Sequence, residues 1–139
     1  MKILKKNKEV DYFVSYESAK RIDNIGISQA IKNCLKKSLA SLKVKPNECL
    51  VLLDGGLKAP AEYIKQKTII KGDEKERAIA FASIVAKVSR DTLMCKLAKK
   101  YSKYSFDIHK GYGTKKHCEF IKKYGLSDEH RRCFCKNFI

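Results

Sequence analysis

Apolar residues along the chain follow two periods. Residues 11–17, "DYFVSYE", alternate aromatic or β-branched residues with polar ones, which predicts a strand, and "NIG" turns the chain after it. From Ile27 to Leu42 the residues Ile27, Ala30, Ile31, Leu35, Leu39 and Leu42 recur at steps of three and four. That spacing predicts an amphipathic helix with lysines on its outer face. Pro46 breaks it, because proline cannot continue a helix. "CLVLL" (49–53) is a continuous apolar run, the kind that a parallel sheet covers on both faces. "GGLKAP" reads as a loop, and "KTIIKGD" (67–73) as a second short strand that ends in an acidic residue after a glycine. Residues 76–101 read as one long helix, and its first half is apolar enough to predict burial. "SFDIHKGYGT" reads as a glycine-containing loop. Thr114 can then cap a helix through about Tyr124, closed by Gly125. "SDEHRR" starts a last helical turn before the tail "CFCKNFI". Strand, helix, strand, strand and then helices predict an α/β fold. The 139 residues suffice for one domain, 1–139, with one core.

Charge narrows the choice of partner. Lysine and arginine number 31 against 15 acidic residues, a net charge of +16. On a compact domain this balance suggests a polyanion, nucleic acid first. A lysine-rich composition also serves solubility, so charge alone does not decide. No apolar run is long enough to span a bilayer. "MKILKKNKEVDYF" lacks the apolar core of a signal peptide, and a cytoplasmic location is expected. The six cysteines, Cys34, Cys49, Cys95, Cys118, Cys133 and Cys135, are scattered, mostly within apolar patterns. They read as small core residues in a reducing compartment. "HRRCFC" brings His130, Cys133 and Cys135 close in sequence, and His117 with Cys118 could add ligands. A single C-x-C without a second knuckle is a poor zinc pattern.

Two places could carry chemistry. In an open α/β sheet, ligands bind beyond the carboxyl ends of the strands. Asp54 and Asp73 both fall at such ends. Two carboxylates converging there would suit magnesium or manganese, which prefer hard oxygen ligands. With a nucleic acid partner, the matching reaction is two-metal phosphodiester hydrolysis. Asp54-Gly55 and Gly72-Asp73 read equally well as plain turns. The second place is "HKGYGTKKH" (109–117), which gathers His109, Lys110, Lys115, Lys116 and His117 around Tyr112 between two glycines. Lysines beside flexible backbone suit phosphate, and a presented tyrosine can stack on a base or sugar. A solvated basic loop with a tyrosine packed on the core fits the same letters.

The blocks "SYESAKRIDNIGISQAIKNCLKKSL", "LLDGG", "IIKGDEKERAIAFASIVAKVSRD", "FDIHKGYGTKKH" and "HRRCF" resemble the successive signatures of bacterial ribonuclease HII, in that family's order and over nearly the whole chain. The resemblance implies a ribonuclease H-like mixed sheet with flanking helices and a C-terminal helical segment. It implies cleavage of the RNA strand of RNA–DNA hybrids and nicking of DNA beside an embedded ribonucleotide, with Mg2+ or Mn2+. It makes Asp54 and Asp73 the third and fourth metal-binding carboxylates. It makes Tyr112, in "HKGY" with Lys110, the residue that stacks on the ribonucleotide's sugar.

One departure matters. The family's first two carboxylates stand in an Asp-Glu-Ala-Gly-Arg-Gly block on its first strand, and this chain has no such block. Two aspartates bring a charge of about −2 against about +4 for two divalent ions. The family's first strand also lies beside the strand that carries Asp54, and without it "CLVLL" would leave backbone groups unpaired. The chain is therefore expected to be an incomplete domain, weakly active or inactive by itself. The competing expectations are a non-catalytic nucleic-acid-binding fragment and a degenerate remnant.

Overall fold

The computed structural model describes residues 10–138. The chain divides into two compact units, one formed by residues up to Tyr16 with Ser28–Lys87, the other by Glu17–Ile27 with Val88–Ile139.

In the first unit, strands β1 (Val51–Asp54) and β2 (Gln66–Ile69) pair in parallel, with Val51 opposite Gln66 and Asp54 opposite Ile69. Parallel neighbours need a crossover, which here is a loop rather than a helix. Side chains of β2 satisfy that loop's backbone. Ala59 N–H donates to Gln66 Oε1 at 2.8 Å, Gln66 Nε2 donates to the Tyr63 carbonyl at 3.0 Å, and Thr68 Oγ1 donates to the Leu57 carbonyl at 2.9 Å. Leu39 of helix α2 (Ile27–Ser41) joins Val51, Leu53, Ala59 and Tyr63 in one core cluster, with Leu35 and Cys49 packed against it. The helix follows the period read from the sequence.

Four expectations for this unit are corrected. Residues 11–17 form no strand. A strand needs a ladder partner, and none of the described residues provides one. The segment is bonded instead to α2 through Ser15, whose Oγ donates to the Cys34 carbonyl at 2.7 Å and lies 2.8 Å from Ser38 Oγ. The second strand ends at Ile69 rather than 73. Lys71 turns into the left-handed region at φ 53°, and a short helix α3 (Gly72–Lys75) follows. The first half of helix α4 (Arg77–Lys100) is not buried. Ile79 and Val85 are its buried residues, while Phe81 and Ile84 are 45% and 53% exposed. Nor is β1 covered on both faces. Val51 and Leu53 point into the core, but Leu50 is 60% exposed. An open groove of about 380 Å³ runs along Leu50, Leu52, Leu57, Ala78, Ala82 and Ala86, with Asp54 also in its lining. Apolar content predicts burial only where a partner surface exists, and the described residues supply none here.

The second unit is helical. The sequence reading missed helix α1 (Ala19–Ile25). Ser18 Oγ caps it by accepting from Arg21 N–H at 3.2 Å, and Gly26 closes it at φ 78°. The Asp23 carboxylate takes the N–H groups of Arg132 and Cys133 at 2.8 and 3.0 Å, tying α1 to a 3-10 turn at Arg132–Phe134. The last turn was thus expected a few residues too early. "FDIH" is not loop but a short helix α5 (Phe106–His109). Helix α6 (Lys115–Tyr124) matches expectation, with Thr114 as its cap and Gly125 at its end. Of the six cysteines only Cys135 is buried; Cys95 and Cys133 are exposed, and Cys34, Cys49 and Cys118 lie between. They are not core residues as a class. Among the described residues no helix is long and apolar enough to cross a membrane.

Candidate active site

Asp54 ends β1, and its carboxylate is held from the side. Gly72 N–H donates to Asp54 Oδ1 at 2.8 Å. Gly55 N–H continues the ladder to the Ile69 carbonyl at 3.1 Å. The carboxylate is thereby bonded to the residue immediately before Asp73, which lies in the first turn of α3. Both aspartates are exposed. The nearest obstacle to a side chain at 72 is the flexible end of Ile79. A Cβ there would stand 2.5 Å from Ile79 Cδ1 and 3.4 Å from Asp54 Oδ1. Asp73 thus stands at a helix start, not at the strand end that the sequence suggested. Among the described residues no group of three or more histidine, cysteine, aspartate or glutamate side chains gathers for a metal ion.

Tyr112 and Lys110 lie together in the second unit, on the turn between α5 and α6. Lys110 holds a left-handed backbone at φ 50° and Gly111 follows at φ 78°. The Tyr112 ring is 55% exposed, with the Arg90 guanidinium 4.9 Å above its centroid. Lys110 Nζ is turned back onto Cys95 Sγ at 3.0 Å and onto the Asp107 carbonyl. The bond to Cys95 raises the ammonium's pKa above the usual lysine value. Lys115 and Lys116 are exposed. Arg90 was missed by the sequence reading. Its Nη1 is buried and lacks a hydrogen-bond partner among the described residues. The signal available was a lone arginine closing the apolar stretch "SIVAKVSR".

His109, His117 and His130 are all buried, at 6%, 5% and 7% exposure. His109 and His117 stack at 4.0 Å, and His117 Nε2 lies 3.0 Å from His130 Nε2. Burial, then the neighbouring His117, pushes His130 down to about 4, and burial also lowers His117. The direction fixes a pH effect. An unfolded imidazole takes a proton near its ordinary value of 6.5, whereas folded His130 stays neutral until about 4. Stability is therefore fully present above about pH 6.5 and falls as pH drops toward 4, by about 1.4 kcal/mol per pH unit for each proton that only the unfolded chain holds. Urea denaturation across that range would show it, and a flat profile would contradict it. Cys133 is bonded to Asp23 rather than directed to these rings, and its thiol pKa is raised by that contact.

Asp54 ends a strand of a parallel pair, the position beyond which open α/β sheets commonly bind ligands. The ribonuclease HII family model matches residues 1–138, and the chain belongs to that family. It is 44% identical over 130 residues to a ribonuclease HII of Caldicellulosiruptor bescii, covering 94% of this chain and 62% of that protein. It is 48% identical over 126 residues to one of Prochlorococcus marinus (91% and 60%). A third, of Clostridium beijerinckii, is 49% identical over 134 residues (96% and 48%). The chain thus spans roughly half to three fifths of the length of these relatives.

Proposed function

We propose that this chain supplies part of the active site of a cytoplasmic endonuclease. The enzyme cleaves the RNA strand of RNA–DNA hybrids and nicks DNA at embedded ribonucleotides by two-metal hydrolysis with magnesium or manganese. The observation that supports this reading is the bond from Gly72 N–H to Asp54 Oδ1, which ties Asp54 at the strand end to the residue before Asp73 in a chain of the ribonuclease HII family. The donor set fits such ions: two exposed carboxylates with only oxygen to offer. Asp54 and Asp73 would hold the metal, which when bound activates water and offsets charge on the phosphate. Gly72 N–H fixes the orientation of the Asp54 carboxylate. Tyr112 offers a ring face to the ribose, and Arg90 steadies that ring. Lys110, Lys115 and Lys116 add positive charge for the phosphate backbone.

We read the open groove beside β1 as a face that further polypeptide covers in the working enzyme. The lining is largely apolar, and among the described residues β1 has one neighbouring strand, which leaves its other edge open to a further strand. In this reading the covering segment carries the acidic block that this sequence lacks. The test is a nicking assay on duplex DNA with one embedded ribonucleotide, in magnesium and in manganese. It uses the chain alone and the chain with an Asp-Glu-bearing N-terminal fragment of a relative. Nicking only after addition is expected. Nicking by the chain alone would show that a reduced site suffices and would overturn the completion argument. Binding that weakens steeply with salt, without nicking in either mixture, would point to a non-catalytic binding fragment.

A further inference from the structure

His117 and His130 are hydrogen-bonded to each other, His109 is stacked on His117, and the contacts around the three rings assign their tautomers. Gly111 N–H donates to His109 Nδ1 at 3.1 Å, so the His109 proton sits on Nε2, facing the Tyr104 carbonyl at 2.6 Å. Ser127 N–H donates to His130 Nδ1 at 2.9 Å, and Ser127 Oγ lies 2.7 Å from the same nitrogen. The His130 proton is therefore on Nε2, and it points at His117 Nε2, 3.0 Å away. His117 must then accept there and carry its own proton on Nδ1, which donates to the Tyr112 carbonyl at 2.9 Å. That carbonyl also receives Thr114 N–H at 2.8 Å.

The turn that displays Tyr112 is thus fixed at two points by neutral imidazoles. His109 holds the amide of Gly111, and His117 holds the carbonyl of Tyr112. The turn contains Lys110 in a left-handed conformation that costs a non-glycine residue energy, so it persists only while its surroundings impose it. We propose that His109, His117 and His130 are positioning residues that lock the Tyr112 turn while they hold these tautomers, and that a proton added to His117, where it meets His130, releases it. A proton on His117 Nε2 would face His130 Nε2–H and set donor against donor, whereas one on His130 Nδ1 would face Ser127 N–H but could be taken by Ser127 Oγ. Among the described residues no carboxylate is hydrogen-bonded to these rings. The other groups against the rings are Phe106 and Tyr104, and the Tyr104 hydroxyl is committed to the Gly125 carbonyl at 2.9 Å. The influences on the paired rings are burial, the rings themselves and the backbone at Tyr112 and Ser127.

The consequence for nucleic acid rests on the reading of Tyr112 as the residue that meets the ribose. In that case preference for a ribonucleotide-bearing duplex depends on the neutral rings. The test begins with long-range nitrogen-15 spectra of the imidazoles in the full chain at neutral pH. They should show His109 and His130 protonated on Nε2, His117 on Nδ1, and no charged ring. Any other set overturns the proposal. Fluorescence anisotropy then compares an all-DNA duplex with the same duplex carrying one ribonucleotide, as pH is lowered. The preference is expected to fall about fivefold, as when one hydrogen bond is lost. His117→Asn keeps a donor toward the Tyr112 carbonyl without a titrating ring. It should retain the preference at neutral pH and lose its acid sensitivity, whereas His117→Ala should lose the preference throughout. An unchanged acid response in His117→Asn would sink the proposal. If the tautomers and the acid-induced movement of the Gly111 and Tyr112 amide signals are as stated but no duplex preference exists, the lock stands. The role of Tyr112 toward ribose then fails instead.

Discussion

Asp54→Asn is expected to lower nicking by roughly 10²–10³-fold in the form of the enzyme that nicks, while leaving its thermal unfolding almost unchanged. Several kcal/mol of transition-state stabilisation through metal corresponds to that factor. The substitution separates two jobs that the carboxylate performs. Its Oδ1 accepts the Gly72 amide at 2.8 Å, and an asparagine carbonyl can accept the same bond. What asparagine cannot supply is the negative charge. Asp54→Ala removes both, so it should add about 1 kcal/mol of destabilisation from the abandoned amide. Asp73→Asn should impair nicking to a similar extent without touching that bond. Single-turnover nicking across a manganese titration, beside thermal unfolding of each variant, separates the effects. Asp54→Asn that nicks like the parent with the same metal dependence would remove Asp54 from the metal site.

The elements that the sequence displayed most clearly were those whose signals are local. The period from Ile27 to Leu42, the Thr114 cap and the Gly125 stop each lie within one helix, and α2 and α6 fall where these signals put them. The run "CLVLL" identified the strand, and Asp54 at its end was legible for the same reason. What failed depended on partners. Residues 11–17 have strand letters but no ladder, and the apolar start of α4 has no covering surface. Helix α1 was missed because seven residues, "AKRIDNI", are too few to show a period, and its cap at Ser18 looked like an ordinary polar residue. The pairing of Asp73 with Asp54 rested on two strand ends, but the strand stops at Ile69 and the chain returns to the Asp54 carboxylate through the Gly72 amide. Arg90 and the histidine cluster were invisible because they join residues far apart in sequence. His117 and His130 stand thirteen residues apart, and their spacing, a poor zinc pattern, gives no sign that they bond to each other.

The second large effect is one of stability and falls on Phe106. This ring is 2% exposed and stacks on Tyr104 at 5.4 Å and 8°. It also meets the edges or tilted faces of His109, His117 and His130 at 5.8, 5.8 and 5.4 Å. Phe106→Ala should cost about 3–5 kcal/mol near neutral pH, from lost burial and the cavity left among rigid rings. That is a large share of the roughly 5–15 kcal/mol that holds a typical domain together. The cost should itself depend on pH. Phe106 helps keep the histidines dry, and dryness is the main reason His130 resists protonation until about 4. With a cavity open to water, His130 returns toward its ordinary value of 6.5, and the folded variant takes up the proton that the parent refuses. Acid then destabilises the parent more than the variant, because only the parent folds against an unprotonated ring. The gap between the two should therefore narrow as pH falls from about 7.5 to about 5. Urea denaturation of both proteins at several pH values measures that gap. A gap that stays constant or widens would mean that something other than Phe106 shields the imidazoles. Phe106→Leu keeps most of the volume and should lose mainly the ring contacts, about 0.5–1.5 kcal/mol, with the acid dependence of the parent largely preserved.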